Sequence, residues 1–254
     1  MNRGQFLSGG PAILDGMSER EAPTSPGVLR RRELNRALLD RQMLLRRAPL
    51  PAEAAPRAER VIETVEHLAG LQAQAPFPPY YGLWSRLDGF RPDDLAELIT
   101  GRQVVRIALM RGTIHLVSAR DCLMFRPLLR PVLEQGLRPL LAGQLKSVDT
   151  EALAVAGRAL VEEKPRTHRE LGELLAATWP DQPADGLARG VRALVPLVQV
   201  PPRAVWGRAG QSLHTSAEAW LGRPLDDAPS LDDLFERYLR AFGPASQSRS
   251  RPLE

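Results

Sequence analysis
The chain has 254 residues, a formal charge of +4 and a single cysteine, a length that buries one or two small cores. Cys122 alone excludes an intrachain disulfide. No stretch approaches the roughly 18 to 20 apolar residues that cross a bilayer, and the N-terminus lacks the blocks of a secretion leader, so a reducing cytoplasm is the expected compartment.

Lys146 and Lys164 are the only lysines, and arginine carries nearly all the positive charge. Guanidinium forks match phosphate and stack on bases, although GC-rich coding produces the same bias. In chain order, residues 1–29, with Gly9-Gly10-Pro11, Pro23, Pro26 and Gly27, lack periodicity and are expected to be a disordered tail. Over 30–47, Leu34, Leu38, Leu39, Met43, Leu44 and Leu45 make one face of a basic helix. A Pro/Ala-rich linker at 48–56 leads to a helix marked by Val61, Ile62, Val65, Leu68 and Leu71. Pro76, Pro78 and Pro79 place its end near Leu71 or Gln72. Beyond that end the chain is extended, so Gln72 and Gln74 point to the same side.

A short helix is expected over 83–87, and another opens at Pro92, where Asp93 and Asp94 suit the positive end of the helix dipole. Residues 104–110 and 113–117 are β-rich runs separated by Arg111-Gly112, the pattern of a two-stranded ribbon. Ser118 caps a helix over 121–128, and 131–143 continues helical. Helices followed by a hairpin are the order of a winged helix, which defines a first domain at 30–147. A second, at 148–228, repeats the order. Ala152, Leu153, Val155, Ala156, Ala159 and Leu160 form a helix, the capping box Thr167-His168-Arg169-Glu170 opens another over 171–176, and 187–196 supplies a third. Strand and wing follow at 198–200 and 203–207, then a helix at 217–221. The predicted fold class is mainly α with small β ribbons, arranged as tandem winged helix-turn-helix domains. A helix over 231–242 starts a third such unit at 229–246, and 247–254 is a polar tail.

Three runs carry more specific information: His67-Leu68-Ala69-Gly70-Leu71-Gln72-Ala73-Gln74-Ala75-Pro76, Tyr81-Gly82-Leu83-Trp84-Ser85-Arg86-Leu87, and Leu109-Met110-Arg111-Gly112-Thr113-Ile114-His115-Leu116-Val117. Their succession closely resembles the winged-helix DNA glycosylases of the AlkZ type, which carry a Gln-Φ-Gln catalytic motif (Φ apolar) in the first winged helix. The resemblance runs from about residue 34 to about 246. In that family the third unit continues and a C-terminal β-barrel follows. Against that pattern, the Ser/Arg-rich end at 247–254 leads to the expectation of a truncated or frame-shifted member.

The resemblance implies hydrolysis of the N-glycosidic bond of N7-alkylated purines in DNA, crosslinked ones included, with Gln72 and Gln74 catalytic. A glutamine amide is no general base at neutral pH. None is needed where the departing base is already cationic and leaves neutral; the remaining tasks are to place a water below C1′ and stabilise an oxocarbenium-like sugar. The bland alternative for the two glutamines is helix termination, in which their amides bind free backbone groups. For DNA contact the richest zone is 102–146, with Arg106, Arg111, Thr113, His115, Arg120 and Arg126 as candidates. Each is equally open to a structural or solvated role. His67 is expected to be structural, and His168 and His214 have no partner at ligand spacing, so neither metal nor other cofactor is expected. The expected partner is double-stranded DNA bearing alkylated bases, bound by a monomer. The alternative is a winged-helix DNA-binding protein that cleaves nothing, or an inactive member of the family.

Overall fold
The structure, a computed structural model, describes residues 30–243. The tails expected at 1–29 and 247–254, and residues 244–246 of the third unit, lie outside the described residues. Helix α1 (Arg31–Arg41) is shorter than its apolar pattern because Met43 turns the chain at φ 57°. Within the expected linker, β1 (Ala48–Pro49) forms before α2 (Ala54–His67). Strand β2 (Leu71–Gln72), α3 (Pro78–Trp84), β3 (Leu87–Asp88) and α4 (Pro92–Thr100) follow. α3 thus precedes the expected 83–87 helix. The reason is local: prolines are tolerated in a first helical turn, whose N–H groups have no intrahelical acceptor. β1 and β3 pair in parallel.

Strands β4 (Val104–Ala108) and β5 (Ile114–Ser118) make the expected ribbon around Arg111-Gly112. Ser118 caps α5 (Ala119–Ala142) by accepting the Asp121 N–H at 3.1 Å. α5 is one continuous helix that runs through Pro127, Pro131 and Pro139. The second set contains α6 (Thr150–Glu163), α7 (His168–Ala176), α8 (Ala184–Leu194), β6 (Leu197–Val200), β7 (Leu213–Ser216) and α9 (Ala217–Leu221). The Thr167/Glu170 capping box is formed. The second strand lies at 213–216, not 203–207, because 203–207 is bent by turns in which Val205 N–H donates to Pro202 and Arg208 N–H to Val205. α10 (Leu231–Phe242) closes the described chain, over the residues expected.

The architecture is mainly α with a small sheet, as expected of winged-helix folds. The two ribbons do not stand apart. β4 pairs with β6 through Arg106↔Gln199 and Ile107↔Val198, giving one five-stranded sheet in the order β2-β5-β4-β6-β7. Val61, Val65, Leu83 and Leu95 centre one core, and Leu153, Leu171, Leu187 and Val191 another. A third cluster of Ile107, Val117, Phe125, Val198 and Ala217 joins them through the sheet. Cys122 is buried in that cluster, which pushes its thiol up to about 12. It behaves as a small apolar residue.

Arg57 locks α2 to α4. Its Nε and Nη2 donate to the two Asp94 oxygens at 2.5 and 2.7 Å, while the Gly89 and Pro51 carbonyls accept from the same guanidinium. Burial alone raises the Asp94 pKa, but hydrogen bonds from Arg57 and from the Arg91 N–H outweigh it and hold the carboxyl below its usual range. Its contribution is therefore present above the ordinary carboxylate pKa and lost as pH falls through the depressed one. Arg57→Ala, which strands this mostly buried carboxylate, is expected to cost about 3 kcal/mol in denaturant unfolding at pH 7.

Candidate functional site
The paired glutamines owe their position to an abrupt helix ending. α2 stops at His67, four residues before the proline-based expectation, because Ala69 and Gly70 both take positive φ, 51° and 99°. A Cβ on Gly70 would lie 2.7 Å from Val117 Cγ1 and 3.1 Å from the Leu116 carbonyl oxygen, so glycine is required by space as well as by φ. His67 Nε2 donates to the Arg41 carbonyl at 2.6 Å and ties this end of α2 to α1.

Released from the helix, the chain pairs with β5 in the register Leu71↔Leu116 and Gln72↔His115. The Ala73 N–H continues the ladder to the Ile114 carbonyl at 2.7 Å. Ala73 is 0 % exposed within the first core, whereas Gln72 and Gln74 on either side of it are exposed. That alternation is what an extended chain produces, and it turns both carboxamides away from the core. β2 is the edge strand of the sheet, so one flank of the pair is open. The Gln74 Oε1 accepts the Ile114 N–H at 3.0 Å. Only an oxygen can accept there, which fixes the amide orientation and leaves its NH2 and one oxygen lone pair for other partners.

Arg106 lies behind the motif. It is 2 % exposed, and its Nη2 donates to the Ala73 carbonyl at 2.5 Å, gripping the residue between the two glutamines. Burial, with a smaller effect from Arg203, pushes its pKa down to about 10, so it remains cationic at pH 7. Its Nε and Nη1 bond to no described residue. Arg126 is also 2 % exposed, with Nη2 donating to the Ala193 carbonyl at 2.6 Å and its pKa pushed down to about 10 by burial. These two arginines, candidates for phosphate contact, are instead internal ties between chain segments; a guanidinium at that depth does not reach a phosphate.

His115 is buried too. Its Nδ1 donates to the Thr113 carbonyl at 3.0 Å, leaving Nε2 as the acceptor, and burial lowers its pKa. It is the direct cross-strand neighbour of Gln72. Thr113 is half-buried, and its hydroxyl donates to the Met110 carbonyl. Arg111 at the ribbon tip and Arg120 at the start of α5 are exposed; Arg120 lies 3.8 Å from Glu66. Of the six candidates, only these two are exposed cations, and Arg120 is paired with Glu66.

Two features escaped sequence reasoning. Arg237 of α10 makes a bidentate pair with the fully buried Asp121, both bonds 2.6 Å, and also donates to the Glu66 carbonyl. α10 is thereby docked behind the turn that presents the glutamines. The other is the aromatic cluster of Phe77, Tyr80, Tyr81 and Trp206, whose first member follows the motif in the chain. Among the described residues no three His, Cys, Asp or Glu side chains converge on a possible metal position. A cleft of about 1100 Å³ between α5 and α6 is lined by Arg130, Glu134, Arg158 and Glu162 and does not include the glutamines.

Two substitutions test this construction. Gly70→Ala is expected to lose roughly 1 to 3 kcal/mol in chemical denaturation, because the backbone must leave positive φ while the new methyl meets Val117. His214, paired with Gln199 across β6 and β7, is pushed down to about 4 by burial, with the nearby charge of Arg192 next. A histidine with a lowered folded pKa binds its proton more readily unfolded, so the stability it contributes is full above about 6.5 and is lost as pH falls towards 4. The denaturation midpoint should therefore drop from pH 7 to 4.5 more steeply in the wild type than in His214→Gln.

Known proteins bear on this geometry. A family model described as "DNA glycosylase AlkZ-like" matches residues 65–251. The solved structure of Streptomyces sahachiroi DNA glycosylase AlkZ superposes with a TM-score of 0.65 at 18% sequence identity, covering 84% of this chain and 57% of that one. The chain thus spans little more than half the length of that structure. No curated protein matches. The family model covers the Gln-Ala-Gln motif, both ribbons and α10, and the chain belongs to the AlkZ-like DNA glycosylase family.

Proposed function
We propose that this protein is a monofunctional DNA glycosylase that hydrolyses the N-glycosidic bond of N7-alkylated purines, crosslinked ones included, in double-stranded DNA. It would act as a cytoplasmic monomer without metal or other cofactor, its tandem winged-helix units at 30–147 and 148–228 lying along the duplex. The observation that carries this is the placement of Gln72 and Gln74: exposed on an edge strand either side of a buried Ala73, one amide oriented by the Ile114 N–H and the backbone between them gripped by Arg106.

Alkylation at N7 gives the base a positive charge. When the C1′–N9 bond breaks, its electron pair goes to the base, which departs neutral. A water oxygen bonds to C1′, its surplus proton passes to solvent, and the DNA keeps an abasic site. The carboxamides supply orientation and dipole, holding the water and facing the oxocarbenium-like sugar with their oxygens. Arg111 and Arg120 hold flanking phosphates, which makes binding strongly salt-dependent.

A second reading draws on the Gln74 Oε1, already committed to the Ile114 N–H. On that view Gln74 is a backbone cap and the protein binds duplex DNA without cleaving it. Single-turnover release of 7-methylguanine from methylated duplex separates the two. The wild type is expected to release base, and Gln72→Ala with Gln74→Ala to be slower by roughly 100-fold or more. Equal rates in parent and variant would remove the glutamines from the chemistry. Salt-sensitive binding with no release by the wild type would establish the second reading.

A further inference from the structure
Phe77, three residues after Gln74, begins an aromatic cluster assembled from both halves of the chain. The Trp206 ring centroid lies 5.4 Å from Phe77, 5.1 Å from Tyr80 and 6.3 Å from Tyr81. Tyr80 fixes this junction. Its buried hydroxyl donates to the Ala204 carbonyl at 2.7 Å and accepts the Trp206 N–H at 3.1 Å, so the 201–208 turn is fastened to α3. Tyr80, Tyr81, Trp84, Phe90, Pro92 and Trp206 line a cavity of about 280 Å³. Pockets that take drug-sized molecules span roughly 300 to 1000 Å³, so this one suits a single flat ring system.

Scattered exposed aromatics are ordinary; a cluster of large ones around one cavity is not. Tyr81 is 63 % exposed and Trp84 55 %, with Trp206 also exposed. One cation is placed at its edge, the Arg47 guanidinium 4.0 Å over the Trp84 ring. Arg203 and Arg208 flank Trp206 in sequence, whereas Arg91, next to Pro92, is paired with Asp94 at 4.0 Å, and Asp93 is an acidic group whose charge reaches Tyr80. An apolar slot with a guanidinium at its edge complements a flat, uncharged ring carried on a phosphodiester. Single-stranded nucleic acid is held in this way, with bases stacked on aromatic rings and arginines along the backbone. Phe77, whose ring lies 5.4 Å from that of the slot residue Trp206, is three steps along the chain from Gln74, at most about 11 Å, so the slot and the glutamines can engage the same stretch of DNA.

We propose that the cavity between α3 and the 201–208 turn is a stacking site for one unpaired nucleobase of the DNA engaged by the Gln72–Gln74 edge. This rests on the assignment of DNA as partner and is independent of whether base is released. The test compares two unmodified duplexes that differ by one bulged 2-aminopurine, whose fluorescence is quenched on stacking. Wild-type protein is expected to bind the bulged duplex about 10-fold more tightly than the matched one and to quench the probe. Tyr81→Ala with Trp84→Ala, both side chains standing largely in solvent, should leave cooperative thermal unfolding intact, abolish the quench and bind the two duplexes alike. Equal affinity of the wild type for both, or a preference that survives the double substitution, would overturn the stacking site while leaving the DNA assignment standing. Failure to bind either duplex at low salt would overturn both. Competition by a free aromatic peptide without any duplex preference would identify the slot as a protein-docking pocket and refute the proposal.

Discussion

The site depends on a reversal two residues long. At Ala69 and Gly70 the backbone passes from α2 into left-handed geometry and emerges as an edge strand on β5. Were α2 to continue, positions 72 and 74 would point about 200° apart, because successive helical side chains rotate by roughly 100°. Gly70 is held against Val117 and the Leu116 carbonyl, contacts that a side chain would break. A cramped turn on the inner side of the chain thus puts two carboxamides on its outer side.

Much of what supports that turn comes from distant segments through buried polar contacts. Arg106 binds the Ala73 carbonyl from β4, and β4 is itself joined to β6, so the motif rests on a sheet contributed by both halves of the chain. Arg126 crosses from α5 to the Ala193 carbonyl at the end of α8, and Arg237 crosses from α10 to Asp121 and the Glu66 carbonyl. Each of these guanidiniums reaches a backbone carbonyl oxygen of another chain segment. Buried charges are costly unless their hydrogen bonds are made, so such ties specify one arrangement more than they add stability. An arginine-rich composition that looks like a phosphate-binding surface is here spent partly on internal architecture.

What could be read from the sequence was mainly local. The ribbon at 104–117, the Ser118 cap, the Thr167/Glu170 capping box and the helix at 231–242 follow from turn residues, caps and periodicity, and all are present. That Gln72 and Gln74 share one side of an extended chain followed from proline-based reasoning even though the helix ended earlier, because Ala69 gives no sign of its positive φ. What could not be read was long-range. Arg106 alternates with Val105 and Ile107 as a solvent-facing residue of a ribbon would, yet it is buried, with its guanidinium on the Ala73 carbonyl and close to Tyr80 and Arg203. Arg126 follows the same logic once α8 covers α5. The Tyr80–Trp206 contact spans 126 residues, and no local pattern announces it.

The most direct measurement is amide hydrogen exchange at Ala73 and Ile114, the two N–H groups that report the edge-strand register and the Gln74 amide. In the wild type both should be protected despite lying at the sheet edge. Gln74→Ala should release Ile114 while leaving Ala73 protected, because only the first loses its acceptor. Exchange of both at unprotected rates in the wild type would contradict the account, for it would mean that nothing holds the two carboxamides side by side.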